Sequence, residues 1–479
     1  MGPVGPRALR SGSRATRAVT LDGTSGAWSR EVLKDARPLR LGTVAASEGA
    51  IALVEELLPR CLEADGASRS NRRGRSGTEK LSRAVGAIVG SVLDGWLRER
   101  PYAVFLSRSA AAFTGELVGE AAFRAAESAL VGLGLVDQSQ AVAFPLRAGW
   151  VENAYQRKAA RLRPTDALLA EAATHGITVA TAPSAFRVEY PATPLVVKPA
   201  DLVEVRVLQT FSAKKAQLSP GRLATVERRS VFTGIREDVA AMNQFASEHR
   251  FDGCRPPSWK RVFTASVLLN GRWQAQGISY QVLPKAERAA LRIDGETVVE
   301  LDIRASHLTI LAALAGASLP EGDPYAVPGI PRNIVKRWVV VTLGNGRCPT
   351  RWSPRTREEE PDVAAWPIKE VAAAVLARLP FLDEPASPEV AKAARIAGTG
   401  SAQQLPRFLS LRLMGIEAEA MTLALRRLRE GGLLGLSVHD SLIVPRRSAA
   451  TAQRVLEEAC QETYGVVPVI TSSEEAALS

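Results

Sequence analysis

In Glu296-Thr297-Val298-Val299-Glu300-Leu301-Asp302-Ile303-Arg304-Ala305-Ser306-His307, apolar and acidic residues alternate from Val299 to Asp302, the period of a β-strand. The strand ends at Asp302, and an apolar helix follows over Leu308 to Ala315. A carboxylate at the carboxyl end of a buried strand is costly unless it is paired or binds a cation. A second stretch has the same character. Leu433-Leu-Gly-Leu-Ser-Val-His439-Asp440-Ser441-Leu-Ile-Val-Pro445 places two apolar strands about a polar tip, the pattern of a β-hairpin with His-Asp-Ser at its turn. A helix precedes it, with Ile416, Ala420 and Leu423 on one face and Gly431-Gly432 at its end.

Two strand-end aspartates from separate segments can share a pair of Mg²⁺ ions about 3.5–4 Å apart, one activating an attacking hydroxyl and the other steadying a leaving pyrophosphate. Arg332 and Lys336 lie between them in sequence. Their i, i+4 spacing puts both cations on one helix face. Such a face suits a triphosphate, although isolated pairs of this kind are usually solvated. The competing reading of Asp302 and Asp440 is of turn aspartates satisfied by backbone N–H groups.

The order of these elements extends upstream. Gly271-Arg272 is followed by Gln281 and Pro284. Family A DNA polymerases carry G-R-L-S-S and then Q-N-I-P at that spacing. Glu300-Leu-Asp302 with His307-Leu-Thr-Ile resembles their motif A, Arg332 and Lys336 resemble the R-x-x-x-K of motif B, and Val438-His-Asp-Ser441 resembles motif C. The resemblance runs from Val262 to Pro445. It implies an α+β protein (mixed α/β) with a right-hand polymerase palm, an antiparallel sheet, and helical fingers over residues 318–430. It implies metal ligation by Asp302, Asp440 and the Ile303 carbonyl, with two Mg²⁺ as cofactor. Lys336 and Arg332 would hold the incoming triphosphate, and His439 would lie beside the primer end. Arg272 and Gln281 would touch the template or primer backbone. Glu417 would face the minor groove. His307 stands where the DNA enzymes have a sugar-gating Glu, so the choice of sugar stays open.

The departures from the family are specific. Val340 and Gly344 occupy its aromatic and tyrosine positions in motif B, which leaves a base-stacking surface missing or supplied elsewhere, with Trp338 as one candidate. The thumb-equivalent stretch is short, and no paired-carboxylate exonuclease pattern precedes it. The implied function is a nucleotidyltransferase: a template-directed DNA polymerase acting on nucleoside triphosphates with a DNA or RNA template and primer. An RNA-synthesising primase or transcriptase is one alternative. A catalytically silent DNA-binding replication or regulatory protein is the other.

The chain has 479 residues and a formal net charge of +11, which favours polyanionic partners. Residues 1–80 read as a basic arm and linker, with one helix over Ile51 to Leu58. Residues 81–190 read as a folded, mostly helical domain. There Gly132-Leu-Gly-Leu-Val136 leads to a basic strand holding Arg157, Lys158, Arg161 and Arg163, then a helix. This order fits a winged helix with its basic strand against phosphates. It equally fits a small α+β domain with a charged face. Residues 200–479 carry the polymerase-like features. Cys61, Cys254, Cys348 and Cys460 are widely spaced, which suggests neither a zinc site nor a disulfide framework and fits a reducing cytoplasmic compartment. No apolar run reaches membrane-spanning length, so no membrane association is expected.

Overall fold

The computed structural model describes residues 28–67, 71, 73–107, 109–139, 142–145, 155–206, 230–264, 266–385 and 405–473. It is a mixed α+β protein that divides into two compact units, Met1–Phe144 with Gln156–Glu189, and Pro145–Tyr155 with Tyr190–Ser479. Among the described residues, no helix is long and apolar enough to cross a membrane.

In the first unit, helices Glu48–Gly66, Arg75–Trp96 and Glu120–Gly132 share one core. The expectation that residues 1–80 are arm and linker is corrected here. Leu53, Leu57 and Cys61 are fully buried, so the folded unit starts well before residue 81. The helix extends beyond Ile51–Leu58 because the stripe Leu53, Val54, Leu57, Cys61 continues at helical spacing. Residues 1–27 of the arm lie outside the described residues.

A four-stranded sheet in this unit runs in the order Arg37–Pro38, Val104–Phe105, Arg161–Pro164, Val136–Gln138. Arg161 and Arg163 of the basic strand are not presented to solvent. Arg161 is 2% exposed, bonds the Leu33 carbonyl at 3.0 Å and lies over the Phe105 ring. Arg163 is 6% exposed, pairs with Asp137 at 2.7 Å and lies over the Trp28 ring. Desolvated guanidinium groups on carboxylate and aromatic partners are packing elements. The expected phosphate contacts through these two residues are therefore replaced by internal ones. The side chains of Arg157 and Lys158 are outside the described set.

In the second unit the central strand Glu296–Ile303 organises an antiparallel sheet. Along one side it pairs with Ser441–Pro445, which pairs in turn with Leu436–Val438. On its other side it pairs with Arg292–Ile293 near its start and with Ile470–Ser472 near its end. Leu301, Ile303, Leu436, Leu442 and Val444 enter one core with Leu425 and Leu428 of helix Leu405–Glu430 and Leu456 of helix Ala449–Tyr464. A separate helical core gathers Trp338, Trp352, Val371, Leu379 and Phe408. Trp338 is fully buried there, so it offers no stacking surface.

Helix Leu405–Glu430 packs closely on strand Ser266–Ala275. A Cβ at Gly415 would occupy the space of the Leu268 carbonyl oxygen, which is main chain and cannot swing away. Gly415→Ala should therefore destabilise the protein by about 1–3 kcal/mol through overpacking, despite the better helix propensity of alanine. A urea midpoint unchanged or raised in the variant would show that this contact is not tight.

Candidate active site

The register of the central pair sets the geometry. Asp302 lies opposite Ser441, and the Ser441 hydroxyl donates to Asp302 Oδ1 at 2.6 Å. Ile303 N–H donates to the Asp440 carbonyl at 3.1 Å. Asp440 follows His439 in the two-residue turn of the hairpin, where His439 has φ 56°. Four non-glycine residues among those described have positive φ: Asn270, Asp294, Ala305 and His439. His439 adjoins Asp440, Asn270 lies two positions before Arg272 and Ala305 three after Asp302. Backbone strain of this kind persists where the surroundings over-determine it, and it gathers at functional sites.

Two clefts meet at the aspartates. One, of about 460 Å³, is lined by Arg272, Ile303, His307, Arg332, Lys336 and Glu417 among others. The other, of about 380 Å³, is lined by His439, Ser441, Gln281, Lys285 and Arg288 among others. Asp302 and Asp440 are the residues common to both. Burial raises the Asp440 carboxyl to about 6, with Glu417 and Asp302 adding negative potential.

Most of the sequence-predicted residues thus converge, but their surroundings differ from expectation. Glu417 is 2% exposed. Its Oε1 accepts from two Arg272 nitrogens at 2.9 and 2.6 Å. Its Oε2 takes the Ser306 hydroxyl at 2.9 Å and lies 3.3 Å from His307 Nε2. Burial alone would raise its carboxyl; His307, Arg272 and Ser306 outweigh that and bring it to about 2. A carboxylate so enclosed cannot meet a nucleic-acid groove, which corrects the expectation for Glu417. It fixes Arg272 and His307 instead.

Gln281 is corrected likewise. Its amide donates to the carbonyls of Trp273 and Ser437 at 3.0 and 2.8 Å and accepts from Ala275 N–H at 2.9 Å. Both donors are engaged in tying strand Ser266–Ala275 to the hairpin, so none remains for a phosphate. Arg272 is aimed by the irregular strand turn at Asn270-Gly271. Gly271 has φ +78°, and a Cβ there would meet the Phe263 ring at 2.8 Å. The Arg261 guanidinium holds this turn through the Gly271 carbonyl.

On the opposite wall, helix Arg332–Asn345 presents Arg332, Lys336, Val340 and Gly344 to the cleft. Arg332 pairs with Asp323 and lies 5.3 Å from the Tyr325 ring centroid. Lys336 is exposed and has no ion-pair partner among the described residues. Tyr325 lines the cleft and was not foreseen; the Asp323-Pro324 turn ahead of a basic helix is the signal that marks its neighbourhood.

Among the described residues, no group of three or more His, Cys, Asp or Glu is placed to hold a metal. The donors at the cleft junction are two carboxylates, with the Ile303 main chain beside them. An oxygen-only set suits Mg²⁺. Burial, with the charges of Glu417 and Asp302 added to it, disfavours the ionised Asp440 carboxylate, and a divalent cation would offset both, so the residues fit such an ion.

No protein-family model and no curated protein matches the sequence. Among solved structures, the chain is similar to the POL domain of Pol1 from M. smegmatis in complex with DNA primer-template and dNTP, with 17% identity and a TM-score of 0.32. The match covers 50% of this chain and 50% of that one, so the chain spans about half the length of the structure it matches.

Two outcomes follow from the electrostatics. Because folding raises the Asp440 carboxyl, its stabilising contribution is present at low pH and is lost as pH rises through about 6. In metal-free buffer, Asp440→Asn should stabilise the protein by roughly 2–3 kcal/mol at pH 8, and the gain should vanish near pH 4. Thermal melts across that range check it; a gain independent of pH would contradict the burial of charge. Glu417→Ala should cost about 3 kcal/mol, the lower end for breaking a buried pair, because Arg272 keeps some solvent contact. Denaturant titration at pH 7 measures it, and a loss below 1 kcal/mol would mean that the network behaves as a surface pair.

Proposed function

We propose that this protein is a nucleotidyltransferase that extends a nucleic-acid 3′-hydroxyl with nucleoside triphosphates at the junction of the two clefts. The observation that carries this reading is that Asp302 and Asp440 alone are shared by both clefts. A group-transfer site needs one chamber for the donor and one for the acceptor, with the catalytic charges at their boundary. The ordered resemblance of Gly271-Arg272, Asp302, Arg332, Lys336 and Val438–Ser441 to family A polymerases supports the same assignment.

Asp302, Asp440 and the Ile303 carbonyl would hold Mg²⁺, which when bound activates an attacking hydroxyl and offsets charge on the leaving pyrophosphate. The larger cleft takes the triphosphate. Lys336 meets its phosphates as an ammonium without a competing carboxylate, and Arg332 does so one helical turn earlier on exchanging Asp323 for phosphate oxygens. Arg272 and His307 form the inner wall at fixed positions because Glu417 holds both. Tyr325 is the aromatic of that cleft. The smaller cleft takes the strand that bears the hydroxyl, with His439 at its edge.

DNA synthesis is the primary assignment, from the Gly-Arg, Gln and Pro spacing. A specific observation favours RNA synthesis as the second reading: an imidazole paired to Glu417, with no exposed carboxylate, stands at position 307. Primer extension with dNTPs and with NTPs separates the two. Wild type should incorporate in Mg²⁺; Asp302→Ala and Asp440→Ala should fall to background, and Lys336→Ala should lose about 10²–10³-fold in rate. Incorporation by Asp440→Ala equal to wild type would overturn the assignment. DNA binding without Mg²⁺-dependent incorporation in the wild type would favour a silent binding protein instead.

A further inference from the structure

The larger cleft holds a guanidinium to which nothing above gives a task. Arg304 lines it together with Arg332 and Lys336. It is the second residue after Asp302, just past the end of strand Glu296–Ile303. Its main chain is pinned on both sides: the N–H donates to the Val469 carbonyl at 2.9 Å, and the carbonyl accepts the Thr309 hydroxyl at 3.4 Å. Ala305 then turns with φ 53°, and helix Ser306–Leu314 begins. The side chain of Arg304 therefore leaves from a fixed point. It is half-buried, and among the described residues it donates no hydrogen bond and closes no ion pair. Its planar fork of five donors is open to a ligand in the cleft.

The charge of Arg304 does reach the Asp323 carboxylate, but that carboxylate is already engaged. Asp323 Oδ1 accepts the Tyr325 N–H at 3.1 Å. Arg332 closes on both oxygens, Nε on Oδ2 and, at 3.4 Å, Nη2 on Oδ1. A fork on a carboxylate has the shape that the same fork makes with a phosphate. The Arg332 side chain is 55% exposed and that of Asp323 30%, and a pair so open to water exchanges partners readily. Two guanidinium groups thus act on one small anion at the wall of the cleft.

We infer, on the assignment of the larger cleft to the triphosphate, that Asp323 holds the place of the terminal phosphate of a nucleoside triphosphate, and that Arg304 and Arg332 close on that phosphate when it displaces the carboxylate. A terminal phosphate brings more charge than a carboxylate and three acceptor oxygens, enough for both forks. The diphosphate of the same nucleoside ends one phosphate short and leaves the Asp323–Arg332 pair shut. Selection between the two is a difference of affinities, and Asp323 enlarges it by competing with any ligand too short to engage both guanidinium groups.

The test is calorimetric titration of the full chain with a nucleoside triphosphate and with the matching diphosphate, in Mg²⁺ and with no strand present, so that no transfer occurs. Adenine nucleotides in ribose and deoxyribose forms are the probes. In at least one sugar form, wild type should bind the triphosphate about tenfold more tightly than the diphosphate. Arg304→Gln should abolish that difference by weakening the triphosphate alone. Asp323→Asn should act in the opposite sense and tighten the triphosphate several-fold, whereas a purely structural role for Asp323 would weaken it. Equal binding of the two nucleotides by wild type would overturn the inference. So would no binding of either, a preference that survives Arg304→Gln, or a triphosphate affinity unchanged or reduced in Asp323→Asn. Primer extension separates the two levels: incorporation by a wild type that lacks the preference removes the subsite and keeps the nucleotidyltransferase, and an Arg304-dependent preference without incorporation does the reverse.

Discussion

The antiparallel pairing of Glu296–Ile303 with Ser441–Pro445 is the constraint on which the second unit depends. Its register sets Asp302 against Ser441, and the hairpin turn then leaves Asp440 no route away from the same sheet end. A one-residue slip would reverse every side chain of the strand, expelling Leu301 and Ile303 from the core. Register is therefore fixed by apolar burial, and the juxtaposition of two carboxylates comes as its consequence. The Asp440 carboxyl is raised by burial first, then by Glu417 and by the neighbouring Asp302.

Charge balance around the junction is uneven by construction. Glu417 is fully compensated by Arg272, Ser306 and His307, and its carboxyl sits far below its ordinary range although burial opposes this. At Asp440, close by, burial and the charges of Glu417 and Asp302 outweigh Arg272, and its carboxyl moves the opposite way. One carboxylate serves as a fixed strut and the other remains available to a cation. Lys336 and Arg332 face them across the cleft on a helix whose far side is anchored by the fully buried Trp338. Cationic wall, acidic junction and rigid inner wall are each set by a different piece of packing.

What was legible in the sequence was local. Alternation marked the strand ending at Asp302, the His439-Asp440 turn marked the hairpin, and the spacing of Arg332 and Lys336 marked a shared helix face. What was illegible was long-range pairing. Arg272 and Glu417 are separated by 145 positions, and neither side chain carries a sign of the other. Gln281, Arg161 and Arg163 depart from expectation for one reason: a polar residue type does not by itself imply solvent exposure. Gln281 instead bonds main-chain carbonyls inside the fold, and Arg161 and Arg163 are covered by aromatic rings. The early start of the first unit was missed because a flanking Arg- and Ser-rich composition masked the buried stripe Leu53, Leu57, Cys61.

The central claim is that Asp302 and Asp440 act as one cation site. Manganese titration followed by the electron paramagnetic resonance of the free ion addresses it directly, since Mn²⁺ accepts the same oxygen donors as Mg²⁺. Shared ligation predicts uptake by the wild-type protein that is lost in Asp302→Asn and, separately, in Asp440→Asn. Undiminished uptake in either single variant would contradict it.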